Sequence, residues 1–135
     1  MNGNTVHFFI YFCSTMIRNI LLVGLGGATG AMLRYGITLL FNFMHWSTNI
    51  CTLLTNMTGS FVMGMLVSRF EQSPLLLLAT VGICGGFTTF STFSMQSVTL
   101  MQQGRYGTAA LYMLGTMVLC VGFAALGCMA AKQLN

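Results

Sequence analysis

Long stretches without a charged side chain are the feature of this sequence that most constrains its fold. The formal charges stand at Arg18, Arg34, Arg69, Glu71, Arg105 and Lys132. No other charge occurs between Arg34 and Arg69, apart from the titratable His45, and none occurs between Glu71 and Arg105 or between Arg105 and Lys132. Each interval is longer than the roughly 20 residues that a helix needs to cross the hydrocarbon core of a bilayer. The chain therefore reads as a series of membrane spans.

The amino-acid composition excludes two broad classes of protein. Soluble domains carry about 25% charged residues, whereas this chain has 4% charged and 56% apolar residues. Its net charge of +4 comes from scattered side chains and not from a basic patch, so no nucleic-acid footprint is present. A soluble enzyme domain and a nucleic-acid binder are both excluded. We predict an all-α integral membrane protein.

The spacing of the charges predicts four membrane helices in one domain that covers residues 16–135. Their expected bounds are Ile20–Phe41, Asn49–Val67, Pro74–Gln102 and Gly107–Ala131. The connections are short, which leaves no room for a soluble domain. Residues 1–15 lack the basic start of a signal peptide, and their apolar run is too short for a fifth span. We interpret them as an N-terminal extension or as the product of a misassigned start codon.

An even number of spans places both termini on the same side of the membrane. Three of the five basic residues fall on that side and one or two on the other, which weakly favours cytoplasmic termini. A chain that inserts in both orientations would show the same near balance. The count therefore fits either an ordinary weak signal or an antiparallel homodimer.

Polar residues recur at helical spacing inside two of the expected spans. Thr52, Asn56 and Ser60 share one face of the second helix, and Tyr112 and Thr116 share a face of the fourth. Lipid offers no hydrogen-bond partner to such groups. The two stripes either hold helices together or line a pathway.

The middle of the third span is a poor helix centre. Gly85 and Gly86 are followed by the β-branched residues Thr88 and Thr89. A break here would free backbone carbonyls, which are tolerated at membrane depth only when they are buried, line a water cavity or bind an ion. Freed carbonyls favour a cation, whereas the amide end of a resumed helix favours an anion.

Two phenylalanines follow this segment. Phe90 and Phe93 lie three residues apart and share a helix face, with Ser91 and Thr92 between them. Aromatic rings have a positive edge, so edges turned inward could stabilise a small anion without a full charge. A simple packing pair is the other interpretation.

The positions of the titratable residues help to distinguish proton-coupled export from passive permeation. A proton-coupled exporter normally uses an intramembrane carboxylate or histidine, but Glu71 and His45 both fall in expected turns. This favours passive permeation of a small solute, most simply an anion. Arg34, near the end of the first span, either extends to the interface or attracts anions to a vestibule.

Three segments resemble the Fluc (CrcB-type) fluoride channels, in the order and spacing of that family. They are Gly26–Tyr35, Thr52–Ser60 and Gly85–Phe93, and the resemblance extends from Met16 to the end of the chain. It implies a four-helix subunit whose third helix is broken in mid-membrane and which assembles as an antiparallel, dual-topology homodimer. It also implies a non-enzymatic channel in the cell membrane that lets cytoplasmic fluoride leave passively. The expected partners are fluoride, the lipid bilayer and a second copy.

The resemblance assigns roles to individual residues. Phe90 and Phe93 match the paired phenylalanines of the ion pathway, and Asn56 matches its asparagine, with Thr52 one turn earlier. The other expected pathway residues are Ser91, Thr92, Tyr112, Thr116 and Arg34.

A structural sodium ion and two departures from the family pattern complete the expectations. Gly85 and Thr88 fall where the broken helix offers backbone carbonyls to a sodium ion at the dimer interface. Cys51 replaces a common glycine, and Gln96 replaces a common glutamate, which could alter conduction or its pH dependence.

A small dual-topology multidrug or guanidinium exporter, or a purely structural membrane protein, is the alternative.

Overall fold

The structure, a computed structural model, describes residues 3–133 and shows four long helical spans joined by short turns. The spans are α1 (Gly3–Phe43), α2 (Thr48–Arg69), a composite third span (Pro74–Gln102) and the last helix (Tyr106–Gln133). Each contains a stretch that is long and apolar enough to cross a bilayer. The predicted all-helical, four-span architecture is confirmed.

The third span changes its helical character along its length. It comprises α3 (Pro74–Leu77), a π-helical segment (Leu78–Cys84), α4 (Gly85–Phe87) and α5 (Phe90–Gln102), and the last helix is therefore α6. Between α4 and α5 the backbone is extended, with φ and ψ of −78° and 153° at Thr88 and of −144° and 113° at Thr89. The regular helix is thus interrupted just after the glycine pair.

The first span begins earlier than the sequence analysis predicted. The expected start was Ile20, whereas α1 begins at Gly3 and its apolar span at Phe9. No glycine or proline occurs from residue 4 to residue 23, so nothing local ends the helix there. The treatment of residues 1–15 as a separate extension stays a prediction. At about 1.5 Å per residue, α1 is roughly twice as long as the hydrocarbon core is thick.

Close backbone contacts organise the four spans into two helix pairs. α1 packs most extensively against the third span, and α2 against α6. A Cβ atom on Gly26 would lie 2.8 Å from the Gly82 Cα, and one on Gly64 would overlap the Ala124 carbonyl oxygen. Small residues allow such direct approach in membrane helices. The predicted functional residues lie mostly where the two pairs meet.

Candidate functional site

A cavity of about 330 Å³, here called the main cavity, lies where α2, the interruption, α5 and α6 meet. Its wall combines polar side chains with two aromatic rings. The lining residues are Asn56, Ser60, Thr88, Thr89, Phe90, Phe93, Thr116, Met117, Cys120 and Val121. Four of the predicted pathway residues, from three different helices, therefore share one cavity wall.

The Asn56 side chain connects α2 to the interruption. It is buried, its Nδ2 donates to the Thr89 carbonyl oxygen at 3.3 Å, and its Oδ1 accepts the Thr89 N–H at 2.8 Å. Since the Thr89 N–H has left the helical hydrogen-bonding pattern, Asn56 supplies the acceptor that it lacks and adds a donor to the Thr89 carbonyl. Asn56 thus holds two segments together and also lines the main cavity.

Thr89 organises the start of α5 and was not among the predicted site residues. Its Oγ1 accepts the Thr92 N–H at 3.3 Å, which caps the helix, and donates to the Thr92 Oγ1 at 3.1 Å. The Ser91 hydroxyl lies 3.2 Å from the same oxygen. A threonine directly before a helical run is a recognisable capping signal, so this role could have been read from the sequence.

Three aromatic rings form a row beside the main cavity. The Phe90 and Phe93 centroids are 5.6 Å apart with planes at 45°, and those of Phe93 and Tyr112 are 5.4 Å apart at 46°. Phe93 is half-buried, whereas Phe90 is 79% exposed. Tilted geometry of this kind is favourable for aromatic pairs. The two phenylalanines therefore pack together and also border the cavity.

A chain of hydrogen bonds crosses α2, α5 and α6 beside these rings. The Tyr112 hydroxyl donates to Gln96 Oε1 at 2.6 Å, and Gln96 Nε2 donates to Thr52 Oγ1 at 3.0 Å. We call Thr52, Gln96 and Tyr112 the Gln96 bridge. In the sequence Gln96 stood out only as a departure from a family pattern, because helical spacing does not reveal partners on other helices.

Thr116 lines the main cavity and carries a hydroxyl without a partner among the described residues. The residue is only 6% exposed, and its Oγ1 has no hydrogen-bond partner among residues 3–133. Buried polar groups are normally paired. The Thr116 hydroxyl is therefore a buried donor that the described part of the protein leaves unused.

A second cavity, of about 150 Å³, lies between the two helix pairs and shares Thr89 with the first. Its lining residues are Arg34, Tyr35, Thr38, Thr48, Cys51, Thr52, Thr55, Thr89 and Thr92. Arg34 is half-buried there, and its Nε donates to the Gly86 carbonyl oxygen at 3.3 Å. This bond directs the Arg34 side chain toward the interrupted third span.

The interruption also changes the surroundings of two backbone carbonyls. In a continuous helix the Thr89 N–H would bond the Gly85 carbonyl, but here it donates to Asn56. The Thr92 N–H would likewise bond the Thr88 carbonyl, but it donates to the Thr89 side chain. Carbonyl oxygens suit a hard cation. Within the described part of the chain, no three His, Cys, Asp or Glu side chains cluster to offer another kind of metal site.

Comparison with known proteins adds a family context to this geometry. Residues 21–128 match the family described as CrcB-like protein, Camphor Resistance (CrcB). A protein of Pseudomonas putida (strain W619), named "Fluoride-specific ion channel FluC", is 38% identical over 113 residues, covering 77% of this chain and 89% of that protein. Proteins of the same name from Cronobacter sakazakii and Salmonella arizonae are 43% and 40% identical over 101 and 104 residues. Those two alignments cover 71% and 73% of this chain and 80% and 82% of the relatives.

Proposed function

This chain belongs to the CrcB family, and from that membership we propose that it is a fluoride-selective channel through which cytoplasmic fluoride leaves the cell. It is a multi-pass protein of the cell membrane, and it protects against fluoride by passive conduction and not by an enzymatic reaction. The observation that carries the proposal is the main cavity, where the unpaired Thr116 hydroxyl, the Asn56 amide and two phenylalanine rings meet.

The wall of the main cavity suits a small, strongly hydrated anion. A narrow pore must replace the water shell of such an ion with hydrogen bonds from the protein. The unpaired Thr116 hydroxyl is a donor in this wall, and the ring edges of Phe90 and Phe93 would offer weakly positive surfaces. Conduction requires binding that is firm enough for entry and weak enough for exit. Neutral donors meet that requirement better than a buried positive charge.

The placement of the single acidic residue supports passive conduction. Glu71 is the only Asp or Glu in the sequence, and it lies in the turn between α2 and α3. A multidrug or guanidinium exporter coupled to protons would need a carboxylate within the membrane. That alternative is therefore disfavoured.

The proposal extends to an antiparallel homodimer whose third helix is broken in mid-membrane. Thr88 and Thr89 precede the 13 residues of α5 within a span of 29 residues, which is close to its midpoint. Phe90 is largely exposed beside the cavity, and Gly85 is exposed on the same interrupted segment. A second copy packed on this face would cover both residues. The near balance of basic residues on the two sides agrees with insertion in both orientations.

A structural sodium ion at the dimer interface is part of the same proposal. The carbonyls of Gly85 and Thr88 fit this ion, because the amides that would occupy them in a helix are bonded elsewhere. When bound, the cation offsets the partial negative charge of carbonyls exposed by the interruption.

Fluoride efflux from liposomes that contain the purified protein tests the proposed function. An electrode follows fluoride loss, and chloride loss is measured in parallel. Fast fluoride loss with retained chloride is the expected result. A purely structural membrane protein, in which Asn56 only ties helices together, would remain assembled and release neither ion, and that outcome would overturn the proposal.

A further inference from the structure

Two sulfur-containing side chains line the main cavity, and the proposed conduction uses neither of them. They are Met117 and Cys120, which lie three residues apart on α6. Residues at this spacing are neighbours on one helix face, with Cβ atoms about 5–6 Å apart. Cys120 is half-buried and Met117 is 64% exposed, so neither residue is sealed within a packed core. A thiol and a thioether therefore border the same space.

A third group on this face of α6 lacks a partner. Thr116 precedes Cys120 by one helical turn, lines the same cavity and is only 6% exposed. Its Oγ1 has no hydrogen-bond partner among residues 3–133, although buried hydroxyls are normally paired. Residues four apart are also neighbours on a helix. The wall beside Cys120 thus holds a buried donor that a thiolate sulfur could use.

Three of the other cysteines are placed less favourably for a ligand. Cys84 is only 4% exposed, and the Cys128 Sγ donates to a backbone carbonyl oxygen at 3.4 Å. Cys51 lines the second cavity, but it is 3% exposed and has no methionine three or four residues away in the sequence. Cys120 therefore combines a cavity, a neighbouring thioether and a nearby unused donor.

The chemistry of this pair selects a class of ligand. Thiolate and thioether sulfur are soft ligands that favour ions such as Cu(I). One thiolate neutralises one monovalent cation, which suits a cavity whose described lining residues carry no formal charge. A Zn²⁺ ion would keep a net positive charge there and prefers four ligands. Within the described residues, no three His, Cys, Asp or Glu side chains cluster to provide them.

We propose that Cys120 and Met117 form a binding site for a soft monovalent metal ion in the main cavity, and that an ion bound there blocks conduction. On binding, the Cys120 Sγ forms a bond to the metal and releases its thiol proton to water, without any change of oxidation state. The block rests on the proposed fluoride conduction, whereas the binding of the metal does not.

Fluoride efflux from liposomes in a chloride-free nitrate medium tests the block. Ag⁺ is the probe, because it is soft, monovalent and stable in air, and because its fluoride is soluble. We expect Ag⁺ to stop most of the efflux and dithiothreitol, a competing thiol, to restore it. Cys120→Ser removes the soft ligand, and its efflux should be the same with and without Ag⁺. Met117→Leu should raise the half-blocking Ag⁺ concentration about tenfold, equivalent to about 1.4 kcal/mol of binding free energy.

The first span offers a matched control. Cys13 and Met16 have the same three-residue spacing on an exposed part of α1, away from the residues that line the main cavity. Cys13→Ser should conduct like the wild type and be blocked by Ag⁺ to the same extent, and Zn²⁺ should block neither protein. Wild-type efflux that Ag⁺ does not slow, or a block that persists in Cys120→Ser, would refute the inference.

A binding measurement separates this inference from the proposed function. Purified protein in detergent is titrated calorimetrically with silver nitrate, and we expect Cys120→Ser to bind one Ag⁺ fewer per subunit than the wild type. Equal binding by the two proteins would refute the metal site even if the wild type conducts fluoride. Loss of Ag⁺ binding in Cys120→Ser, together with a wild type that releases no fluoride, would support the metal site and refute the channel function.

Discussion

The Asn56 side chain pairs with both polar groups of the Thr89 backbone, at 2.8 Å to the N–H and 3.3 Å to the carbonyl oxygen. Thr89 in turn caps α5 through its own side chain. One amide on α2 thus determines how the chain crosses the interruption and where α5 begins. The two phenylalanines proposed to line the ion pathway are the first and fourth residues of that helix.

Removal of the Asn56 amide should destabilise the fold. In Asn56→Leu the Thr89 N–H loses its acceptor and the Thr89 carbonyl loses one donor, and we expect the free energy of unfolding in detergent to fall by about 1–3 kcal/mol. Asn42→Leu is the control, because Asn42 is exposed near the end of α1. Similar stability of the two variants would contradict the role of Asn56 at the interruption.

The ring of Phe93 should matter for conduction more than for assembly. Phe93→Ile keeps an apolar side chain but removes the ring that borders the main cavity. We expect fluoride efflux to fall about tenfold, equivalent to about 1.4 kcal/mol in the barrier, with dimers retained on size-exclusion chromatography. Phe43→Ile, at an 83% exposed ring at the end of α1, should conduct normally. Normal efflux through Phe93→Ile would rule out the ring-edge role.

Thr116 should show opposite effects on stability and conduction. Thr116→Val preserves the shape of the side chain and removes a hydroxyl that has no partner among the described residues. Stability should be unchanged or rise by about 1 kcal/mol, since no hydrogen bond is lost. Fluoride efflux should fall because a donor is lost. Thr99→Val, at an exposed threonine of α5, is the control for efflux, and equal efflux of the two variants would argue against Thr116 as a ligand.

The backbone contact between α2 and α6 should not accommodate a methyl group. A Cβ on Gly64 would overlap the Ala124 carbonyl, so Gly64→Ala should lower the unfolding free energy by about 1–3 kcal/mol. Gly24→Ala places its methyl group in open space on α1 and should be neutral or stabilising by about 1 kcal/mol. Thermal melting of the two variants in detergent measures the contrast, which a loosely packed α2–α6 pair would abolish.

Sodium should stabilise the assembled protein. Replacing sodium with N-methylglucamine removes the ion proposed at the Gly85 and Thr88 carbonyls, and a bound ligand at about 100 times its Kd contributes about 2.7 kcal/mol. We expect a lower melting temperature of the dimer and its recovery when sodium is restored. A melting temperature that is independent of the cation would count against the sodium site.

The sequence was most informative about features that depend on neighbouring residues. Charge-free stretches gave the four spans, and the glycine pair with following threonines marked where the helix is interrupted. Periodicity also placed Asn56 and Thr116 on the faces that line the main cavity. These are local consequences of hydropathy and backbone preference.

Features that depend on distant partners were not predictable in the same way. Asn56 bonds to a backbone 33 residues away, and Gln96 to a hydroxyl 44 residues away. Helical spacing defines the face of a residue but not the group opposite it. The early start of α1 was missed for another reason, since the apolar run within residues 1–15 was judged only as a separate span, whereas the helix continues from it into the first span.

The direct backbone contacts within each helix pair have a consequence for how the bundle moves. Where Gly26 meets Gly82 and Gly64 meets Ala124, no layer of side chains can compress or slide. Breathing motions are then confined to the seam between the two rigid pairs. The hydrogen bonds of Asn56 and of the Gln96 bridge cross that seam and limit how far the two pairs can separate. The spacing of the two pairs is thereby set by hydrogen-bond lengths, which vary far less than hydrophobic packing, and a gap of fixed width would let the proposed channel discriminate ions by size.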